Sequence, residues 1–190
     1  MSWYVVQTLK GREKRVADEI KDKVAGEDET VFIFENEMQY KVKGEWKKDR
    51  KPFFPGYIFV ELEIDKAGEF NWRLRKKKLK LLETDGVVTP IKPEEQDYLM
   101  RLGGEEHVIR HSEGFRLDDM VEITSGSFKG YKGEIRKLDR HNRRAKVCVP
   151  FMGEEIEVEI GLEIVTNSTF QELENKEKID RLNMAKVVTA

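Results

Sequence analysis

The sequence predicts an α+β protein, in which a domain of helices layered on one sheet precedes a small all-β barrel. Strand-like and helix-like patterns are mixed over residues 1–102, and alternating apolar residues fill residues 115–166. A polar segment with glycines near both ends, residues 103–114, separates them. We therefore predict two domains joined by a flexible linker, followed by a C-terminal tail at residues 167–190.

Composition limits the class of protein. The chain holds 35 lysines and arginines and 37 aspartates and glutamates, and its net charge of −2 excludes a uniformly basic nucleic-acid binder. Cys148 is the only cysteine, which excludes a disulfide framework and favours a reducing compartment. No apolar stretch is long enough for a membrane span, and no signal peptide is recognisable. We expect a cytoplasmic monomer without membrane contact.

The first domain opens with a strand, a helix and two further strands. Residues 3–8 alternate as a strand, and residues 11–24 carry apolar side chains at helical spacing. Two strands follow at residues 31–34 and 38–42, joined by a polar turn. This order predicts a ferredoxin-like arrangement of helices on one sheet.

The next strand is apolar on both faces. It follows two prolines in the sequence KPFFPGYIFVEL, and from Tyr57 onward its side chains point alternately to opposite faces. A helix can cover the face that carries Ile58, Val60 and Leu62. The other face, with Phe59, needs a second helix or a partner protein, and a core strand buried on both sides explains the pattern equally well.

The rest of the first domain contains a basic run. A helix is predicted over residues 66–77, a last strand over residues 79–82, and a helix over residues 93–102 that begins at Pro93. Six bases without an acid follow one another closely: Arg73, Arg75, Lys76, Lys77, Lys78 and Lys80. Such a run is either a solvated face or a surface that faces nucleic acid.

The barrel is predicted from short alternating strands and a glycine-rich loop. Gly126–Gly133 holds three closely spaced glycines and Phe128, an apolar plug for one open end. A four-residue turn at 150–153 would set Lys146 opposite Glu157 and Arg144 opposite Glu159.

Basic residues gather at one end of this barrel. Residues 129–146 contain eight lysines and arginines and two acids, a local charge of +6. We predict RNA binding by a basic rim made of Lys129, Lys132, Arg136, Lys137, Arg140, His141, Arg143 and Arg144. A merely solvated charge cluster is the alternative interpretation.

Motifs of catalysis are absent from the sequence. It has no phosphate-binding loop, no dinucleotide-binding glycine pattern and no nucleophile in a recognisable motif. His107 and His111 are four residues apart, but no third ligand accompanies them. We therefore expect no enzyme, no cofactor and no metal site.

Two motifs resemble a known family. PFFPGYIFVEL, with WYVVQT and GREKRVADEI before it, resembles the N-terminal domain of NusG transcription factors, and the glycine-rich loop resembles the KOW motif of their SH3-like barrel. The resemblance covers most of residues 2–165 and implies that the first domain contacts the clamp helices of the largest RNA polymerase subunit. The residues that it places at or beside this contact are Phe54, Pro55, Gly56, Tyr57 and Phe59.

The second partner is less uniform within this family. General members bind a ribosomal protein or the factor Rho through a Phe-Gly-Arg-like loop, whereas here Phe151, Met152 and Gly153 precede two glutamates. The basic turn at residues 139–144 resembles the specialised antitermination paralogue LoaP, which implies binding to a leader RNA hairpin. The alternatives are a general factor that couples polymerase to ribosome or Rho, and a ribosome-associated KOW protein. DNA in the transcription bubble is a further candidate partner.

Overall fold

The computed structural model describes residues 1–117 and 120–165, and the predicted tail at 167–190 lies outside these residues. The helices are α1 Glu13–Lys23, α2 Ala67–Arg75 and α3 Pro93–Gly103. The strands are β1 Ser2–Gln7, β2 Thr30–Phe32, β3 Glu35–Val42, β4 Glu45–Pro52, β5 Tyr57–Leu62, β6 Glu83–Thr84, β7 Val87–Val88, β8 Val108–Ile109, β9 Ser112–Leu117, β10 Met120–Ser125, β11 Ile135–Asp139, β12 Arg144–Phe151 and β13 Glu154–Ile164. The predicted α+β class is confirmed.

The first domain is built around β5, which pairs with β1 on one side and β2 on the other, both antiparallel. One face of this sheet carries Ile58 and Val60, which lie in a buried cluster with Ile20 of α1 and Phe70 of α2. The alternation read from the sequence places these side chains correctly. The helices therefore cover this face, as the pattern predicts.

The other face of β5 is buried among aromatic rings. Phe59 is fully buried, and its ring lies 5.0 Å from that of Phe34 and 5.5 Å from that of Phe32. This apolar cluster extends without a break to Phe151 and Val149 of the barrel. The two domains thus share one core in this structure. Residues of the first domain and of the barrel together cover the second face of β5.

The barrel is a five-stranded sheet in the order β10-β9-β13-β12-β11. Its buried residues include Ala145, Val147 and Val149, which alternate with half-buried neighbours along β12. Phe128 is 1% exposed and plugs the barrel, as its place in the glycine loop predicts. No helix within residues 1–117 and 120–165 has the length and apolarity needed to cross a membrane.

The register predicted for the β12–β13 hairpin is wrong by two residues. Val149 pairs with Ile156 and Phe151 with Glu154, so the turn is two residues long. Met152 and Gly153 both have positive φ, at 56° and 84°, and the right-handed strand twist favours such two-residue turns. Because the shift is even, each side chain stays on its predicted face.

Both predicted ion pairs of this hairpin form despite the shift. Lys146 lies 2.6 Å from Glu157, and Arg144 lies 3.4 Å from Glu159. In the observed register each of these pairs is diagonal rather than directly opposite, a separation that long side chains span.

Three further predictions, of a strand, a turn and the linker, also need correction. Residues 79–82 are not a strand, because this stretch makes only a single bridge, between Leu81 and Val6. The predicted turn at residues 35–37 is the start of β3, which pairs with β4, a strand that sequence analysis missed. In the segment predicted as linker, β8 pairs with β3, and β9 begins at Ser112.

Candidate functional site

The segment Phe53–Tyr57, called here the FFPGY segment, is fixed in shape by a buried carboxylate. Glu13 of α1 is 2% exposed, and its Oε1 atom accepts hydrogen bonds from the backbone N–H groups of Gly11 and Gly56, at 3.0 and 2.7 Å. Gly56 has φ of 93°, and a Cβ there would lie 3.2 Å from the Thr8 carbonyl oxygen. The turn therefore requires glycine at this position.

The structure brings the five residues of the predicted polymerase contact together but exposes little of them. Phe54 and Phe59 are 1% and 0% exposed, and Gly56 is also buried. Tyr57 is half-buried, and Pro55 is exposed. In this structure, therefore, little of the predicted contact surface is free to bind a partner.

The barrel covers the FFPGY segment. The ring of Phe151 stacks on that of Phe54, with centroids 4.7 Å apart, and lies edge-on to Tyr57 at 5.0 Å. A groove of about 670 Å³ remains beside this contact, between Phe53 to Tyr57 on one side and Lys146 with Glu157 on the other. The covering side chain, Phe151, directly precedes the two-residue turn of the β12–β13 hairpin.

Polar contacts reinforce the domain junction. A carboxylate oxygen of Glu95, near the start of α3, accepts a hydrogen bond from the N–H of Gly153 at 2.7 Å. The Asn36 side-chain amide donates to the carbonyl oxygen of Glu159 at 2.6 Å. The side chains of Glu95 and Asn36 are buried, at 5% and 3% exposure, whereas their partners Gly153 and Glu159 are exposed.

The basic rim divides into two groups. Six of its residues are exposed: Lys129, Lys132, Arg136, Lys137, Arg140 and His141. Of these, Arg136 lies 3.3 Å from Glu134, its neighbour on the barrel. The acid nearest the turn, Asp139, accepts hydrogen bonds from Asn142, which help to hold the pKa of Asp139 below its usual value.

The other two rim residues are held by the first domain. The guanidinium of Arg143 lies 4.1 Å from the centroid of the Trp46 ring, donates to Gln39 at 2.6 Å, and pairs with Glu163 at 2.7 Å. The guanidinium of Arg144 lies 4.7 Å from the Tyr40 ring. We call these contacts to β3 and β4 the arginine latch.

A second groove, of about 750 Å³, lies between α3 and the glycine loop of the barrel. Its charged lining residues come from both sides: Arg101, Arg110, Lys129 and Lys132. Backbone contact across the junction is close there, because the Arg110 N–H donates to the Ser127 hydroxyl at 2.8 Å. Sequence analysis missed the contribution of the two arginines, because nothing in the local pattern places α3 beside the loop.

The basic run of the first domain is partly neutralised. Arg73 pairs with Glu29, and Arg75 and Lys80 both approach Glu83. The remaining bases, Lys76, Lys77 and Lys78, are exposed beside α2. The Nζ of Lys76 lies 3.4 Å from the centroid of Trp72, a ring that is 58% exposed.

The paired histidines of the sequence do not meet at a metal site. His107 stacks on Phe32 at 3.8 Å, whereas His111 lies against Gly161 of the barrel. Burial lowers the pKa of both and brings that of His111 to about 4. Within residues 1–117 and 120–165, no three histidine, cysteine or carboxylate side chains gather as metal ligands.

Comparisons with known proteins give matches to both the first domain and the barrel. Residues 1–107 match the family model described as transcription termination factor nusG, and residues 117–149 match the KOW motif. Two relatives are each named transcription termination/antitermination protein NusG. The Pasteurella multocida protein is 29% identical over 83% of this chain and 90% of its own, and the Halalkalibacterium halodurans protein is 29% identical over 84% and 94%. A solved structure titled "Domain interaction in Thermotoga maritima NusG" is 25% identical, covers 84% of this chain and 92% of its own, and has a TM-score of 0.49.

Proposed function

The chain belongs to the NusG family of transcription factors, which are not enzymes, and we propose that it acts in the cytoplasm as a processive antitermination factor. In this proposal the first domain, residues 1–102, binds the clamp helices of the largest RNA polymerase subunit. Residues 103–114, which hold β8 and the first residues of β9, connect this domain to the barrel. The barrel at residues 115–166 binds an RNA hairpin in the leader of the regulated transcript.

Polymerase binding is supported by the way in which the FFPGY segment is built. A buried carboxylate and a left-handed glycine fix the turn, and Pro55 and Tyr57 reach its surface. On the side of the barrel, the ring of Phe54 is covered by the stacked ring of Phe151. Separation of the domains would uncover an apolar surface of the kind that partner proteins bind.

RNA binding is supported chiefly by five exposed rim residues that form no salt bridge within residues 1–117 and 120–165: Lys129, Lys132, Lys137, Arg140 and His141. Phosphates and 2′-hydroxyls dominate recognition of RNA helices, so a compact cationic surface suits a hairpin. The acids of β13, by contrast, pair with Arg144 and Lys146 on the neighbouring strand. Acids of the barrel therefore neutralise only part of the rim, at Arg136, Arg143 and Arg144.

The proposed mechanism rests on binding alone and includes no catalysed reaction. A factor that bridges the polymerase cleft holds the clamp closed. It binds the closed form of polymerase more tightly than the paused or termination-prone form, and this difference in affinity shifts the equilibrium towards the closed form. An RNA hairpin held by the same molecule would raise the local concentration of the factor at one transcript. The exposed Trp72 and Lys76 beside α2 would face single-stranded DNA in the bubble, where stacking and charge act together.

A general factor that couples polymerase to a ribosomal protein or Rho is the second candidate. It is favoured by the position of Phe151 and Met152 at the tip of the β12–β13 hairpin, where a protein partner would bind. Two glutamates follow this tip in place of a basic residue, which argues against the usual contact. A ribosome-associated KOW protein does not explain the family match over residues 1–107.

The test is a gel shift with full-length protein and RNA. The probe is the hairpin most strongly enriched by the immobilised protein from transcribed genomic fragments. The double variant Lys137→Glu, Arg140→Glu should lose RNA retention by more than about tenfold, since two phosphate contacts become repulsive. The matched control Lys77→Glu, Lys78→Glu changes the same charges on the first domain and should retain the hairpin. Equal affinity of all three proteins would overturn the RNA assignment, and retention of polymerase by each is the folding control.

A further inference from the structure

The groove between α3 and the glycine loop has the size of a small-molecule site. Its volume of about 750 Å³ is typical of pockets that hold a ligand as large as a nucleotide. One wall is formed by α3 and the residues just after it, and the other by Gly126–Gly133 of the barrel. The chemistry of the two walls therefore decides which class of ligand fits between them.

Two tyrosines give the groove an aromatic surface. Tyr98 of α3 and Tyr131 of the glycine loop both line it, and both are half-buried, so part of each side chain meets solvent. Leu102 and Phe128 line it as well, and the Phe128 ring lies edge-on to that of Tyr131 with centroids 5.5 Å apart. Aromatic surfaces of this kind bind nucleobases by stacking.

Tyr131 is held in place by its surroundings. Its hydroxyl donates a hydrogen bond to the Cys148 carbonyl at 2.9 Å, and a Cβ at Gly133 would overlap the Tyr131 hydroxyl. The backbone of the loop is itself paired, since the Gly130 N–H donates to the Ile123 carbonyl at 2.9 Å. The ring therefore loses little conformational freedom when a ligand packs against it.

Tyr98 adds a hydrogen-bond donor to this surface. Burial raises the pKa of Tyr98 to about 12, with smaller contributions from the charges of Tyr131 and Glu155, while Arg101 acts in the opposite direction. The hydroxyl consequently keeps its proton at neutral pH and can donate to a base or to a phosphate oxygen. Arg101 follows Tyr98 by three residues on the same face of α3, so a ring and a positive charge are presented together.

Cationic side chains surround the aromatic surface. Arg101 and Arg110 come from one wall and Lys129 and Lys132 from the other, and all four are exposed. In the part of the chain that the structure describes, the salt bridge that involves these residues joins Arg110 to Glu106 at 2.9 Å, and both of its side chains are more than half exposed. Such a pair is weak, so the groove can offer positive charge to an anion.

We propose that this groove binds one unpaired nucleotide of the RNA, whose base stacks on the two tyrosines and whose phosphate contacts Arg101 and Arg110. The inference rests on the proposed function, because it adds a base-binding site to the surface that we assign to RNA. Lys129 and Lys132 belong both to the basic rim and to the groove, so the two surfaces are continuous. Paired RNA is recognised mainly through its backbone, and unpaired bases are read individually. The rim thus supplies affinity, and the groove supplies selectivity for one base.

Stacking of the base is tested with two RNAs and full-length protein. The first RNA is the enriched hairpin, and the second carries abasic residues in place of its unpaired nucleotides, so that the phosphates stay and the bases are lost. Tyr98→Leu should weaken binding of the first RNA about tenfold and leave binding of the second unchanged. Tyr98→Phe keeps the ring and should bind both RNAs nearly as the parent does. Equal effects of Tyr98→Leu on the two RNAs would overturn the stacking.

The phosphate contact is tested by Arg101→Gln. Because the phosphate is present in both RNAs, this change should weaken the binding of each about fivefold. Arg15→Gln makes the same change at an exposed position of α1 and should bind like the parent. Equal affinity of the Arg101→Gln and Arg15→Gln proteins for the hairpin would overturn the contact.

A large excess of the four nucleoside monophosphates distinguishes RNA from a free nucleotide as the ligand. Free monophosphates lack the contacts to the rim, so they should not displace the hairpin from the parent protein. Displacement that Tyr98→Leu abolishes would overturn RNA as the source of the nucleotide. Hairpin binding that Lys137→Glu, Arg140→Glu removes but Tyr98→Leu and Arg101→Gln leave intact would overturn the groove alone. Failure of the parent to bind the hairpin would overturn the proposed function together with the groove.

Discussion

The ring of Phe151, from the barrel, stacks on the ring of Phe54, from the first domain, at a centroid distance of 4.7 Å and an angle of 22°. Phe54 belongs to the segment that we propose to bind polymerase, and Phe151 is the last residue of β12. Because one contact buries both rings, the closed arrangement covers the surface that we propose for polymerase. Several consequences can be measured.

Replacement of Phe151 by leucine should increase the retention of RNA polymerase several-fold in a pull-down. Leucine keeps the site apolar, but the loss of ring stacking removes about 1 kcal/mol from the closed arrangement, which is enough to shift the equilibrium about fivefold. Met152→Leu, in the adjacent half-buried position, is the control and should behave like the parent. Equal retention of polymerase by both variants would show that the stack does not mask the contact.

Replacement of Glu13 by alanine should lower the free energy of unfolding by about 1–3 kcal/mol, measured with urea. The buried carboxylate satisfies the N–H groups of Gly11 and Gly56, and its loss leaves both without this acceptor. Glu19→Ala serves as control, because Glu19 forms only an exposed pair with Lys23 and should change stability by less than about 0.5 kcal/mol. Equal effects of the two changes would contradict this role for Glu13.

Acidification should weaken the domain junction through His111. Its pKa falls from 6.5 to about 4, first because of burial and further through Arg143 and Lys48, while Glu37 acts in the opposite direction. Since the pKa in the folded protein lies below that of an exposed histidine, the stability present above pH 6.5 is lost as the pH falls towards 4.

The measurement is the unfolding free energy of three proteins between pH 7 and 4. His111→Gln cannot titrate and should show a shallower decline than the parent protein. His141→Gln, at an exposed position of the rim, should follow the parent. Parallel curves for the parent and His111→Gln would refute this origin of the pH dependence.

RNA binding should depend steeply on salt, and the slope should report single rim residues. Each phosphate contact contributes about 0.7 to 0.9 to the slope of log affinity against log salt. Arg140→Gln should therefore flatten this slope by about one, measured by fluorescence anisotropy. Lys80→Gln, at a residue that approaches Glu83 on the first domain, should leave the slope unchanged. A slope that neither change affects would remove Arg140 from the interface.

Local patterns predicted the barrel better than they predicted its surroundings. Alternation along β12 identifies Val147 and Val149 as core, and the plug Phe128 follows from its glycine loop. The predicted turn of this hairpin is two residues too long, because a left-handed Met152 is not a common turn signal in a sequence. The sequence does not predict β4, because Glu45–Pro52 is charged and mostly exposed. Apolar and polar residues therefore do not alternate along it as they do in a strand with one buried face.

The arginine latch could not be predicted from the sequence. Arg143 and Gln39 are 104 residues apart in the sequence, and neither belongs to a motif that predicts contact with the other. The basic rim was recognised from charge alone, which does not distinguish an arginine that faces solvent from one that packs on Trp46. The two-sided strand β5 raised the possibility of a partner on its second face, and the partner found there is the barrel of the same chain.

The measurement that tests the central claim most directly is crosslinking of RNA to the full-length factor in cells, followed by purification of its polymerase complexes and sequencing of the attached RNA. The account predicts that polymerase is recovered and that reads concentrate in a few structured leaders, with crosslinks on the rim around Arg140. Recovery of polymerase with RNA spread evenly over all transcripts, and a ribosomal protein or Rho bound at the barrel, would contradict it.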